Sequence, residues 1–349
     1  MAGVINIITK KGDGYSEENT WRVGARVQEE SMGKEYDFFK DKGLHNESID
    51  LGFNHKSGLF VNGGYTRNNH GGWQGDLTGR EKRWHPKDQA LMNGMFGFQN
   101  RNMNVWYRLD FLDEKIFGPN NGSELQPEKV SDKDFLTKRY THQLQSDWKL
   151  DNRLDVHAAL SYQDYKRRTR TTESDLSTGE KWLSSAEASQ DITQYKAWIA
   201  RATVAWNIVP EFSIQPGVEY QWTQGEGGRI DGTPKVEDLA FFLSAEYKPW
   251  EWLSLRPGVR TFIVADYDAP IAIPSVLTKF KLTKHMDLRL SYAYGFRSPT
   301  LQELYFSFHN DNHDIDGNPD LKAEYSHNIT GSVAYRVLHS EKIHLTTTL

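Results

Sequence analysis

The sequence contains no cysteine, which excludes a disulfide framework, a thiolate metal site and a cysteine nucleophile. It also lacks any run of about 18 apolar residues, the minimum for a membrane-spanning helix. Basic residues are not in excess, since 42 Lys and Arg stand against 47 Asp and Glu. The chain therefore lacks the electrostatic footprint of a nucleic-acid-binding protein, and no nucleic-acid partner is expected. A β-barrel membrane protein stays open, because its strands give only a weak hydropathy signal.

Apolar and polar side chains alternate along segments of about ten residues, which is the period of a β-strand. In the segment 286–296, every even position from Leu288 to Phe296 is apolar or aromatic, while the odd positions include Asp287 and Arg289. About fifteen such segments follow one another, joined by connections that are alternately short and long. The long connections are predicted at 31–46, 68–88, 115–137, 167–190, 225–236, 265–272 and 298–323. Hairpins with short turns at one end and long loops at the other are typical of outer-membrane barrels.

Tryptophans close to the predicted strand ends fit the aromatic girdles of such a barrel. They are Trp21, Trp148, Trp206, Trp222, Trp250 and Trp252. A soluble β-sandwich would also show alternation. The barrel is favoured because the segments approach the roughly 9–11 residues needed to cross a bilayer. Mid-strand charges such as Arg108, Asp110 and Glu219 also suit a wet lumen.

Three short motifs identify the family more closely. Residues 2–10 resemble the end of the plug domain of TonB-dependent outer-membrane receptors. Phe296-Arg297-Ser298-Pro299 resembles the FRAP box of these receptors, with Ser298 where alanine is usual, and Asn318-Pro319-Asp320-Leu321 resembles their NPDL box. In the family, these two boxes flank a long extracellular loop.

The resemblance implies an all-β fold, a transmembrane antiparallel β-barrel that in this family has 22 strands around a plugged lumen. Residues 1–12 are then the C-terminal end of the plug, and 13–349 the N-terminal two-thirds of the barrel. About fifteen strands are predicted here, so the chain is expected to be a fragment that lacks most of the plug and the last strands. The implied location is the bacterial outer membrane.

The implied function is uptake of a metal chelate or cobalamin, bound by extracellular loops and energised by the TonB–ExbB–ExbD complex acting through the plug. Outer-membrane lipids and lipopolysaccharide are the other expected partners. No bond is broken, so no enzyme activity and no covalently bound cofactor are expected, and haem or an iron chelate would be cargo. Two alternatives from other classes stay open: a passive porin-like channel, and a surface glycan-binding β-protein.

Haem receptors with these boxes ligate haem iron through a histidine between them, which here indicates His309 or His313, with Tyr305 and Phe308 as stacking faces. Siderophores, cobalamin or a glycan remain alternatives, as does a cation site at Asp311, Asp314, Asp316 and Asp320. Trp73 and Trp84 are further loop candidates. The basic run Lys166–Arg170 faces either lipopolysaccharide and water or an anionic chelate.

Overall fold

The structure is a computed structural model that describes residues 18–38, 42–186, 189–265, 267, 269–310, 313–336 and 344–348. The predicted plug remnant at 1–12 lies outside these residues. Within them, no helix is long and apolar enough to cross a membrane.

In the described part of the chain, one antiparallel sheet of 16 strands contains almost all of the regular structure. Its strands are β1 (Thr20–Glu30), β2 (Leu44–Asn54), β3 (Leu59–His70), β4 (Lys87–Gln99), β5 (Met103–Gly118), β6 (Lys129–Lys149), β7 (Leu154–Asp175), β8 (Lys181–Leu183), β9 (Ile192–Val209), β10 (Phe212–Glu226), β11 (Lys235–Trp250), β12 (Leu253–Ala265), β13 (Ile273–Thr283), β14 (Met286–Arg297), β17 (Glu324–Arg336) and β18 (His344–Thr348). Helix α1 (Leu301–Tyr305) and a separate hairpin, β15 (Ser307–Asn310) and β16 (His313–Asp316), lie between β14 and β17.

Each strand of this sheet pairs with the next in sequence, apart from two local exceptions. The short β8 pairs only with β7, and β17 follows β14 because the inserted loop carries its own hairpin. The resulting meander confirms the predicted all-β fold and the predicted number of strands. It also matches the hairpin series of an outer-membrane barrel.

The predicted long connections at 115–137 and 167–190 are partly wrong. Strand β5 continues to Gly118, β6 begins at Lys129, and β7 runs for 22 residues to Asp175. Beyond the membrane both faces of these strands are polar, so their sequences resemble loops, while backbone pairing between neighbours keeps them extended. The ends of these strands at the long loops therefore project as a pleated wall rather than as free loops.

Apolar side chains cover the outer face of the sheet. Leu144, Leu243 and Leu290 expose 45%, 44% and 46% of their surface. No second sheet covers this face in the part of the chain that the structure describes, so the pattern is that of a lipid-facing barrel wall and not of a sandwich core. The predicted alternation of an apolar and a polar face along the strands is confirmed.

The inner face is polar and charged. Arg260 on β12 donates to Glu219 on β10 at 2.8 Å. Arg201 on β9 lies 3.4 Å from the same carboxylate. These residues carry the mid-strand charges of the sequence. They neutralise one another along the wall, as a water-filled lumen permits.

Two belts of tryptophan bound the lipid-facing band. Trp206 lies near the short turns, and Trp198, on the same strand and the same face, lies beside Trp222 toward the long loops. Eight residues separate the two belts, which is about 27 Å along an extended strand. At a strand tilt of about 40° this length corresponds to a height of roughly 21 Å, close to the apolar band of about 25 Å between the aromatic girdles of an outer-membrane barrel.

Candidate functional site

Arg297, the last residue of β14 and the second residue of the first box, ties helix α1 to the start of β17. Its guanidinium donates to Glu303 at 3.0 and 3.1 Å and to Glu324, the first residue of β17, at 2.7 and 3.0 Å. One planar fork therefore bridges two carboxylates that lie 21 positions apart in sequence, a task for which arginine geometry is suited.

Helix α1 starts immediately beyond this clamp. Thr300 is its N-cap, and Thr300 and Glu303 form a reciprocal capping box, the arrangement that the spacing Thr-x-x-Glu favours. Hydrogen bonds from Arg297, together with those from Thr300, lower the pKa of Glu303 to about 2. Leu301 and Leu304 point inward and are buried. The helix is thus fixed at its first turn by polar contacts and along its inner side by packing.

The second box forms a turn that returns the chain to α1. The Asn318 amide donates to the Glu303 carbonyl at 3.0 Å, and the Gly317 amide donates to the Phe306 carbonyl at 2.5 Å. The Asn318 side-chain oxygen accepts from the Asp320 amide at 2.9 Å, which makes an Asx-turn with Pro319 at its centre. The two boxes therefore hold the two ends of the connection between β14 and β17, which is called here the box loop (residues 298–323).

A cavity of about 900 Å³ lies between the box loop and the inner face of the extended strands. Strand residues provide one wall, and the β10–β11 connection and the box loop provide the other. The wall residues are Lys133, Phe135, Tyr165, Arg167, Thr169, Thr171, Ser189, Asp191, Thr193, Tyr195 and Thr223; the loop residues are Gly228, Arg229, Ile230, Thr300, Leu301, Gln302, Phe306, Ser307, Phe308 and His309.

Cations stacked on aromatic rings characterise this cavity. The Arg167 guanidinium lies 4.4 Å from the Phe135 ring centre, and that of Arg229 lies 4.3 Å from the Phe308 ring centre. Among the described residues of the lining, the one carboxylate is that of Asp191, which already accepts from the Gly228 amide at 2.7 Å and the Thr193 hydroxyl at 3.0 Å. The cavity consequently combines positive charge with aromatic faces, a combination that suits an anionic ligand with a flat or aromatic surface.

The box loop is docked onto the β10–β11 connection by main-chain contacts. The Ser307 amide donates to the Arg229 carbonyl and the Asp231 amide donates to the Tyr305 carbonyl, both at 3.1 Å. Ile230 is buried at this junction. Arg229 and Phe308 therefore reach the cavity from two loops that hold each other in place.

His309 is held by two carboxylates. Its Nδ1 lies 2.5 Å from Asp314 and its Nε2 lies 3.0 Å from Asp316. Both nitrogens donate only when the ring is protonated, and these contacts raise the pKa of His309, with the Asp314 hydrogen bond the larger cause. The donor atoms of the three side chains lie within 4.8 Å of one another, so they could hold a divalent cation in place of the proton.

The β15–β16 hairpin should loosen as pH rises. The His309 contacts are fully present below the ordinary histidine pKa of about 6.5 and are lost as pH rises through the raised value. Hydrogen exchange of the hairpin amides between about pH 5 and about pH 9 measures this change, after correction for intrinsic exchange. The change should vanish in His309→Gln, and an identical pH dependence in the two proteins would contradict the prediction.

The structure brings only some of the predicted ligand residues together. Phe308 and His309 line the cavity, whereas Tyr305 lies in α1 outside its lining. Trp73 and Trp84 pack on each other at 5.4 Å in the β3–β4 connection, also outside the lining. The side chain of His313, and Asp311 entirely, lie outside the described residues. The roles proposed for all of these residues stay predictions.

Four residues of the cavity escaped the sequence analysis as ligand candidates: Phe135, Tyr165, Tyr195 and Arg229. For the first three, the alternation of inward and outward positions along each strand could have identified them. Continuing the inward positions of β6, β7 and β9 past the membrane places these aromatic residues on the lumen side. Arg229 has no such signal, because a loop docking contact positions it.

Comparison with known proteins shows similarity to one family of outer-membrane receptors. Residues 215–349 match the model described as TonB dependent receptor-like, beta-barrel. The siderophore receptor PirA from Pseudomonas aeruginosa superposes with a TM-score of 0.67 at 13% identity, over 96% of this chain and 55% of that one. A mutant of the ferric enterobactin receptor PfeA from the same organism gives 0.65 at 13% identity over 96% and 53%, and the copper transporter OprC gives 0.64 at 12% over 92% and 52%.

The chain thus spans about half the length of these solved receptors. At such low identity the superpositions establish the fold. No curated protein matches the sequence.

Proposed function

We propose, from the confirmed resemblance of this chain to the β-barrel of TonB-dependent outer-membrane receptors, that it belongs to a receptor that takes up an anionic, aromatic metal chelate of the siderophore type. Receptors of this family are transporters of the bacterial outer membrane and not enzymes. The chelate would bind in the cavity under the box loop. TonB, with ExbB and ExbD, would supply the energy through a plug domain.

The observation that carries the proposal is the pairing of Arg167 with Phe135 and of Arg229 with Phe308 in one cavity. A ferric catecholate presents aromatic rings and a net negative charge, so it could stack beside these side chains while its charge is balanced by the guanidinium groups. A neutral hydroxamate complex would gain only part of this stabilisation, because it has no net charge for the guanidinium groups to balance. The neighbouring receptors named for siderophores, one of them for ferric enterobactin, agree with this class of ligand.

Replacing Arg167 by glutamine should weaken binding of a ferric catecholate about ten- to a hundredfold, the range for losing one charged hydrogen-bonding partner. Quenching of intrinsic tryptophan fluorescence in the full-length receptor measures the affinity. Arg168→Gln is the matched control, because Arg168 is the adjacent residue and points to the outer face. Equal losses in the two variants, or none in either, would refute the cavity as the binding site.

Haem is a second candidate, because His309 lies at the edge of the same cavity. Axial ligation needs a nitrogen lone pair, so the ring must first release a proton and one of its carboxylate contacts. Haem added to the full-length receptor should then give a ligated absorbance spectrum that is stronger at alkaline pH and absent in His309→Ala. A spectrum that is the same in the variant would remove His309 as the ligand.

A further inference from the structure

Two further arginines lie on phenylalanine rings, on the inner face of the sheet and outside the lining of the cavity. The Arg201 guanidinium on β9 lies 4.8 Å from the ring centre of Phe242 on β11. That of Arg260 on β12 lies 4.9 Å from the ring centre of Phe262 on the same strand. The cavity under the box loop contains the same pairing of arginine with phenylalanine. One kind of contact therefore recurs at two levels of the inner wall.

Strand register brings these side chains together. Arg201 is directly opposite Glu219 in the pairing of β9 with β10, and Phe242 is directly opposite Arg260 in the pairing of β11 with β12. Gly217 on β10 is opposite Phe242, and a Cβ at this glycine would collide with the phenyl ring. The ring therefore lies close to the wall because the glycine has no side chain. The group is called here the inner patch (Arg201, Glu219, Phe242, Arg260 and Phe262).

The inner patch presents positive charge to the lumen. Two guanidinium groups share the one carboxylate of Glu219, so one positive charge remains. The Glu219 side chain is only 10% exposed, whereas those of Arg201 and Arg260 are 53% and 29% exposed. Gln221 also donates to this carboxylate, at 2.9 Å. The acid thus orients the two cations from beneath, and the guanidinium groups face the water of the lumen.

The patch lies below the cavity, toward the short turns. On β10, Glu219 is four residues from the cavity residue Thr223, and on β9, Arg201 is six residues from the cavity residue Tyr195. These separations are about 13 and about 20 Å along the strands, or roughly 10 and roughly 15 Å of height at a tilt of about 40°. The inward positions between the two sites are uncharged: Ala197, Ile199 and Gln221. Along these two strands, the patch is therefore the first positive site below the cavity.

We propose that the inner patch is a second binding site for the anionic aromatic chelate, occupied while the ligand passes through the lumen. The inference rests on the proposed function, because the ligand is the same. Arg201 and Arg260 balance its negative charge, and its rings pack beside Phe242 and Phe262. A site of moderate affinity at this depth favours entry of the ligand into the lumen and still permits its release toward the short turns.

The test separates binding from uptake in cells that carry the full-length receptor, with a ferric tris-catecholate containing radioactive iron as the probe. Arg201→Gln should leave binding to de-energised cells unchanged, because the cavity is intact. It should slow energised uptake about two- to thirtyfold, the range for losing one cation–π contact. Glu219 keeps Arg260 and Gln221 as partners in this variant, so the barrel should fold. Phe242→Leu should slow uptake without any change of charge.

Arg256→Gln is the matched control. Arg256 lies on β12 four residues from Arg260, on the same face, and pairs with the Glu246 carboxylate at 2.7 Å. It has no cation–π contact among the residues that the structure describes. Uptake at the wild-type rate in Arg201→Gln or Phe242→Leu, or an equal loss in Arg256→Gln, overturns the proposal. Weaker binding of the probe to de-energised Arg201→Gln cells also overturns it, because Arg201 would then act in the cavity.

Thermal unfolding of the ligand-free receptor distinguishes a ligand site from a contact within the protein. An unfolding temperature that falls in Arg201→Gln together with the uptake rate indicates that Arg201 holds a carboxylate of the receptor itself, such as one of the plug, and overturns the proposal. Slower uptake at an unchanged unfolding temperature supports it. A wild-type receptor that does not bind the ferric catecholate refutes the proposed function. Normal binding with unimpaired uptake in both variants refutes only the inner patch.

Discussion

Replacing Gly317 by alanine should displace the box loop and weaken the proposed chelate binding about five- to a hundredfold, because overpacking costs roughly 1–3 kcal/mol where the surroundings cannot yield. A Cβ at this position would stand 2.7 Å from the carbonyl carbon and oxygen of Leu304 and from the amide nitrogen of Phe306. All three are backbone atoms of α1 and its end, so no side chain can rotate away. Glycine is needed at this position because two segments of the same chain approach each other closely.

The displacement is measurable without any ligand. Hydrogen exchange should accelerate at the amides of Phe306, Gly317 and Asn318, while the strands of the barrel keep their protection. Gly94→Ala is the control, because a Cβ there meets no heavy atom within 4 Å. Unchanged exchange in Gly317→Ala would show that the box loop tolerates the added methyl group and would contradict the packing argument.

Replacing Arg297 by glutamine should release α1 from β17 and increase amide exchange in the box loop by about an order of magnitude, since one guanidinium supplies the hydrogen bonds to both carboxylates. Arg297→Lys should behave similarly, because an ammonium group lacks the planar fork that joins Glu303 to Glu324. Arg289→Gln is the matched control on the same strand and face, with no ion pair among the residues described.

The ion pairs of Arg297 and the contacts of His309 are lost in different pH ranges. The pKa of Glu303 is depressed, so its stabilising contribution is present above the ordinary carboxyl value and is lost as pH falls through about 2. The wild-type clamp should therefore survive mild acidification to about pH 4, close to the ordinary glutamate pKa. Release of the box loop near that pH would contradict the proposed strength of the clamp.

The sequence alone determined the strands and their two faces. Alternation is a local property, because consecutive side chains point to opposite sides of any extended chain, and it distinguished Leu290 from Arg289 without knowledge of their neighbours. The family boxes likewise lie in contiguous residues. For this reason the meander, the apolar face of the sheet and the place of the box loop were all correctly predicted.

Only the tertiary structure determined where strands end and which side chains share a cavity. The extracellular parts of β6 and β7 are polar on both faces, so pairing with neighbours, and not their own pattern, makes them strands. Arg229 and Phe308 meet because two loops exchange main-chain hydrogen bonds, a contact between residues almost 80 positions apart. Periodicity reports which face a residue occupies. Contacts between distant segments depend on strand register and loop docking, which a local pattern does not encode.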